Sequence, residues 1–248
     1  MFSKHKKFDA HSHIGDFGGW AGSFAIDKDQ LVRDMDSYQV EKTILCAADA
    51  PRNQEVLEAY EAYPDRLIPL VFVNPAQGEA ALEEARYYLK EKNFKGIKMH
   101  PLMHAYVADS PIADPFLDLA EEVGVPVFIH SGHPPYSLPW SIALLAQRHP
   151  RVKVVMIHMG HGHGMYVEAA LDMAQRFDNI YLEMSGMPMS VKIREAYEKV
   201  GRDRIMFGID APFHHPTVEI QKVLTSGLDE EGLEDVFYNN AAKLMGYK

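Results

Sequence analysis

Histidine, lysine and aspartate close most of the apolar runs in this 248-residue chain. His11 and His13 end KKFDAHSH (6–13), and Lys98 and His100 end FKGIKMH (94–100). His130 follows PVFI, His158 follows KVVMI, and Asp210 follows RIMFGI. Side chains two apart in a strand share a face, so His11 and His13 can converge on one point, as can Lys98 and His100. Imidazole and carboxylate donors from several directions are what a divalent ion such as zinc or manganese takes. A satisfied core histidine or a helix-capping aspartate would explain any one of these residues. It does not explain His11, His13, His130 and Asp210 together, all at the ends of such runs. His158 is a candidate ligand of a second ion or a general acid/base beside the first. A metal-bound water has its pKa pulled toward 7, and Asp210 is placed to take its proton. Lys98 and His100 are costly to bury on an apolar strand unless something there uses them.

These residues need a scaffold that brings strand ends together. Eight runs read as strands: 6–13, 42–48, 67–75, 94–100, 126–132, 153–160, 180–186 and 204–210. Amphipathic stretches between them read as helices at 27–39, 77–92, 111–124, 137–149, 165–177, 190–200 and 216–227, with a terminal helix over 232–246. Asp27 is a plausible N-cap and Gly124 suits a helix end. Alternating strands and helices imply a parallel sheet, and eight units in this length match a (β/α)8 barrel of the α/β class. An open doubly wound sheet is the alternative, weakened by the lack of a Gly-rich phosphate fingerprint after the first strand. In the barrel, the strand C-termini are the functional end.

Composition narrows the partners. Hydrophobic residues make up 47% and charged residues 24%, ordinary for a soluble globular chain. The net charge of −10 argues against nucleic acid, and no apolar run is long enough to span a membrane. Cys46 is the only cysteine, and MFSKHKKFDAHSH has no apolar signal region, so a cytoplasmic setting is expected. Among thirteen histidines, His104, His133, His161, His163, His214 and His215 follow strand ends; each taken singly reads as a solvated loop residue. Glu183 and Ser185 share a strand face, with Ser185 the nearer to a pocket. Trp20, flanked by glycines in the first loop, is a candidate lid, stacking wall or packing residue.

In order along the chain, DAHSHIG, GIKMHP, VFIHSG, VMIHMGHG, YLEMSG and GIDAPF, with NNAAKLMG near the end, resemble the amidohydrolase superfamily. The likeness is to its amidohydrolase-related branch, dihydroorotase-like and containing decarboxylases. The resemblance implies a metal-dependent (β/α)8 barrel, with His11, His13, His130 and Asp210 as ligands and His158 as second-metal ligand or acid/base. Lys98 stands where binuclear members carry a carboxylated lysine bridging two metals. Unmodified, it would instead bind a substrate carboxylate as a point charge. The expectation is a metal-dependent hydrolase of a small anionic substrate, cleaving a C–N, C–O or lactone bond. One or two ions, zinc before manganese, would activate water, with Asp210 shuttling the proton. A non-oxidative decarboxylase on the same site is the alternative. A non-catalytic metal-binding barrel is a third reading, and phosphate-ester hydrolysis an outlier. Barrels of this branch are often dimers or larger.

Overall fold

The computed structural model describes residues 3–18 and 24–247, so Trp20 lies outside the described residues. In chain order the strands and helices are β1 (Lys7–Phe17), β2 (Phe24–Ile26), α1 (Lys28–Tyr38), β3 (Val40–Ala47), α2 (Asn53–Ala62), β4 (Leu67–Pro69), β5 (Val71–Val73), α3 (Glu79–Glu91), β6 (Ile97–Met99), α4 (Asp114–Val123) and β7 (Val127–His130). They continue with α5 (Pro139–Arg148), β8 (Val154–Ile157), α6 (Gly164–Arg176), β9 (Ile180–Glu183), α7 (Ser190–Lys199), β10 (Ile205–Met206), α8 (Pro216–Leu224), α9 (Glu230–Glu234) and α10 (Asn240–Leu244).

Backbone hydrogen bonds close these strands into a (β/α)8 barrel. Parallel pairing runs β1–β3–β4 and β5–β6–β7–β8–β9–β10. β4 and β5 are one barrel strand bent at Leu70. Leu70 N–H donates to Leu45 O at 2.8 Å, and Val71 N–H to Gly96 O at 3.0 Å, so the strand passes from one neighbour to the other. The last gap is closed beyond β10. Ala10 N–H donates to Phe207 O (2.9 Å), Asp210 N–H to His11 O (2.6 Å) and His13 N–H to Ala211 O (2.9 Å).

Two apolar layers follow from the period-2 alternation of the strands. Phe8, Ile44, Ile68, Leu70, Phe128, Val155 and Met206 fill the barrel, plugged at one end by Ala241, Ala242 and Leu244 of α10. Ile97, Met99, Val127, Ile129, Val154 and Met156 face outward and pack under the helices. Lys98, between Ile97 and Met99, therefore points into the barrel.

β1 breaks this alternation. Its register against β3 runs Asp9↔Thr43 and then Ser12↔Leu45, three residues opposite two. This is a β-bulge, one extra residue that reverses the facing of everything after it. Phe8 and Ala10 face the barrel interior before it; His11 and His13 face the interior after it. Asp9, of the same parity as His11 and His13 in sequence, faces the helix side instead, near Leu31 and Met35.

Several boundaries differ from the sequence expectation. β1 runs on to Phe17 because Gly15–Phe17 pair antiparallel with β2. The sixth and eighth barrel strands stop short of 160 and 210, since 158–160 form a 3₁₀ turn and 207–211 bond to β1 and to Val236 rather than to β9. The terminal helix is interrupted by a π-helical stretch over Asp235–Asn239. Asn240 donates from Nδ2 to Arg202 O (2.7 Å) and Ile205 O (2.8 Å), tying the terminal segment to β10. α1 has its N-cap at Asp27, whose side chain accepts from Gln30 N–H at 2.7 Å. Among the described residues, no helix is long and apolar enough to cross a membrane.

α2 is a helix that the apolar pattern did not single out. Its first residue, Asn53, is buried and mimics a strand neighbour for the bent third barrel strand. It accepts from Phe72 N–H (2.8 Å) and donates to Phe72 O (3.1 Å) and Glu84 Oε1 (3.0 Å). Asn53→Ala strands both backbone groups of Phe72. It should lower unfolding free energy by about 1–3 kcal/mol, read as a reduced urea midpoint at unchanged m-value. An unshifted midpoint would show that this clamp does not support the barrel.

Candidate metal centre and catalytic cavity

The strand C-termini surround a cavity of about 390 Å³. His11, His13, Lys98, His100, His130, His158 and Asp210, all expected from sequence, line it together. The bulge delivers the first two. Asp9 occupies the space the bulge opens and satisfies its stranded donors. It accepts from His11 N–H (3.1 Å), Ile209 N–H (2.8 Å) and the Ser12 hydroxyl (2.6 Å). One carboxylate thus locks β1 to the segment carrying Asp210. Burial pushes Asp9 up to about 7, against the pull of the Ser12 and backbone donors.

Three donors converge on one side. Asp210 Oδ1 lies 3.2 Å from His13 Nε2 and 3.4 Å from His11 Nε2. His158 joins His11 and Asp210 in a fully buried trio. Metal–ligand bonds of about 2.0–2.2 Å set neighbouring donors about 3 Å apart, so these spacings fit a divalent ion. The tautomers fit as well. His13 Nδ1 contacts Ala47 O at 3.0 Å, and His158 Nδ1 contacts Ser185 O at 2.8 Å. Each ring uses Nδ1–H on a carbonyl and keeps Nε2 for the cavity. Lys98 Nζ is 3.5 Å from His11 Nε2. His130 stands on the opposite wall, with Nε2 turned to His133 Nδ1 at 2.9 Å and its ring stacked on His100 at 3.8 Å. It lies outside the buried trio, although the same cavity receives it.

Glu183 and Ser185 lie behind His158 rather than in the cavity. Glu183 Oε2 accepts from His158 N–H (3.1 Å) and the Ser185 hydroxyl (2.9 Å), and Oε1 accepts from Ser185 N–H. Gly208 makes room for this carboxylate: a Cβ there would sit 2.1 Å from Glu183 Oε1. Burial raises Glu183 to about 8. Gly132 serves the loops, since a Cβ on it would lie 2.4 Å from Gly160 O. The loops bearing His133 and His161 can therefore touch. His158 and Asp210 have φ of 66° and 59°, the left-handed region non-glycine residues seldom occupy.

Burial dominates the electrostatics. His11, His100 and His130 are held well below the usual imidazole range, first by burial and then by neighbouring cations. His158 falls to about 3 and His161 to about 4 for the same first reason. Burial lowers Lys98 too, partly offset by Cys46, Asp210 and Glu183. Burial would raise Asp210, but the close approach of His13 and then His158 carries it below the ordinary carboxylate value.

Sequence alone missed part of the lining. Of the six loop histidines, His133, His161 and His214 reach the cavity. His163 and His215 instead cap α6 and α8, and His104 tilts against Phe72. Phe17, Ala48, Leu102, Met103 and Phe213 supply the apolar surface. Cys46 Sγ sits 3.2 Å from His13 Nδ1, behind the His11/His13 pair; its place at the end of β3 was the available signal.

Residues 11–247 match the amidohydrolase family model, and the chain belongs to that family. No curated protein matches it in sequence. Among solved structures it resembles 2,6-dihydroxybenzoate decarboxylase from Rhizobium (TM-score 0.77, 19% identity, 98% of this chain and 99% of that one). It also resembles the D314N mutant of 5-carboxyvanillate decarboxylase from Novosphingobium aromaticivorans, solved with bound manganese and 3-methoxy-4-hydroxy-5-nitrobenzoic acid (0.78, 16%, 98% and 97%). An uncharacterized TIM-barrel protein from Bordetella bronchiseptica is similar as well (0.80, 17%, 97% and 98%). At these identities the shared property is the fold. Fold, family and donor set together define a metal-dependent enzyme of the amidohydrolase family.

Asp9→Ala would leave two backbone donors and the Ser12 hydroxyl hydrogen without acceptors in the interior, at a cost of about 3 kcal/mol or more. The expected result is a lowered melting temperature together with weakened divalent-ion binding, because the bulge that turns His11 and His13 inward loses its clamp. A variant as stable and as metal-competent as the parent would rule out that role.

Proposed function

We propose that this chain is a metal-dependent non-oxidative decarboxylase of a small aromatic or hydroxylated carboxylic acid. The observation that carries this reading is Lys98: a buried cation, pointed into the cavity beside the donor cluster, among imidazoles that burial holds neutral. Such a cation calls for a carboxylate. The decarboxylase folds to which this chain is similar, two of them solved with manganese and an aromatic acid, add support. They favour manganese over the zinc expected from sequence and decarboxylation over hydrolysis.

In this reading His11, His13 and Asp210 hold the ion, with His158 beside them and His130 on the facing wall. When bound, the ion supplies Lewis acidity to a substrate oxygen. The chain's own residues do the rest. Lys98 binds the departing carboxylate, and Leu102, Met103, Phe17 and Phe213 exclude water from the ring. As the bond between the carboxylate and the substrate carbon breaks, CO₂ leaves and the bond electrons take up a proton from solvent, which Asp210, ionised at rest, relays to that carbon. His158, fixed through Nδ1 by Ser185, presents Nε2 to the same region.

Hydrolysis is the second reading, and one observation favours it. Lys98 lies close to His11, with His158 across the same cluster. If Lys98 carries a carboxyl group, that group would bridge two ions, and the carboxylate would belong to the protein rather than the substrate.

Three measurements separate these readings. Manganese-loaded protein given hydroxybenzoates should release CO₂ without net uptake of water. Cleavage of esters, lactones or amides with no CO₂ release would return the hydrolytic reading. Metal content should be one ion per chain, whereas two ions with added carboxyl mass on Lys98 would establish the bridged form. Lys98→Ala should raise KM roughly 10- to 100-fold, the loss of about 1.5–3 kcal/mol of charged hydrogen bonding, with metal content unchanged. Loss of metal in that variant would contradict the substrate-binding role. His11→Ala should abolish metal binding and turnover together.

A further inference from the structure

His214 stands on the cavity wall, and the reading above gives it no task. Its two nitrogens face two carboxylates: Nε2 is 3.7 Å from Asp210 Oδ2, and Nδ1 is 3.3 Å from Glu219 Oε1. Glu219, in the first turn of α8, is only 1% exposed. Its Oε2 pairs with Lys222 one turn further on, and Lys222 also donates to Met184 O at 2.9 Å. A buried ion pair rarely stabilises a fold more than apolar residues of the same shape would. A buried Glu–Lys pair placed against an active-site imidazole therefore asks for a use.

Asp210 supplies one. Its Oδ1 faces His11 and His13, which leaves Oδ2 as the oxygen by which the carboxylate can be aimed. His214 meets that oxygen. Glu219 holds the far side of the imidazole ring, and Lys222 holds Glu219 against the carbonyl that precedes Ser185. Partners of this kind behind a ligating carboxylate set its orientation and thereby metal affinity.

We propose that His214, Glu219 and Lys222 form a tether that aims Asp210 and sets how tightly the site holds its divalent ion. His214 and Glu219 are positioning residues in this account. The proposal rests on Asp210 and His11/His13 being metal ligands, but not on which reaction the ion serves.

The test is calorimetric titration of manganese chloride into the full chain, His214→Ala, Glu219→Gln and the double variant, with metal-free melting as a check on folding. Each single change should weaken manganese binding roughly 10- to 100-fold. The double variant should be no weaker than the worse single one, because both residues act through one contact. If Glu219→Gln fails to fold beside Lys222, the paired change Glu219→Leu/Lys222→Met removes both charges, and the same loss is expected of it. Unaltered affinity in folded variants, or losses that add, would overturn the tether. A parent chain that takes up no divalent ion fails the metal reading itself, and the tether with it, before any variant is compared.

Discussion

One extra residue in β1 decides where His11 and His13 point. The bulge between Asp9 and Ser12 lets Phe8 and Ala10 pack inside the barrel while His11 and His13 also face inward. A regular strand would send both histidines to Asp9's side, under the helices. Asp9 makes the irregularity affordable. It accepts the donors that the bulge strands and reaches Ile209 N–H on the far side of the barrel seam. The same hydrogen bonds bring Asp210 beside the histidine pair, so barrel closure and site assembly are one event.

The site has two poles. The seam between the first and last barrel strands supplies His11, His13 and Asp210. The middle strands supply Lys98, His100, His130 and His158, and their loops supply His133 and His161. Neutral imidazoles crowd this wall because burial disfavours their charged form, and each added cation disfavours it further. Lys98 is the cation set among them, and the neighbouring His13 holds Asp210 below the ordinary carboxylate value. The left-handed backbone at His158 and Asp210 is consistent with strain held where side chains must turn sharply from strand to cavity.

Much of this was legible in the residues. The eight strand–helix units, the barrel and the strand-end placement of His11, His13, Lys98, His130, His158 and Asp210 all follow from periodicity, since apolar alternation is a local property. The motifs pointed to the amidohydrolase family, to which the chain belongs. α2 escaped because its polar residues obscure a short apolar stripe, and the π-helical stretch near the end follows from packing against β10 rather than from propensity. The loop histidines could not be sorted: His133 reaches the cavity while His163 caps a helix, and nothing nearby in sequence distinguishes them.

The sequence by itself determined which residue types end which strands, because hydrophobic period and side-chain chemistry are written residue by residue. Only the tertiary structure decided their facing and their partners. The bulge reversed the parity of β1, Asp9 became its buried clamp, Glu183 proved to be a buried strut rather than a cavity residue, and Glu219 came to stand behind His214. Each outcome depends on groups far apart in the chain competing for one buried space, where an unpaired donor or charge is too costly to leave.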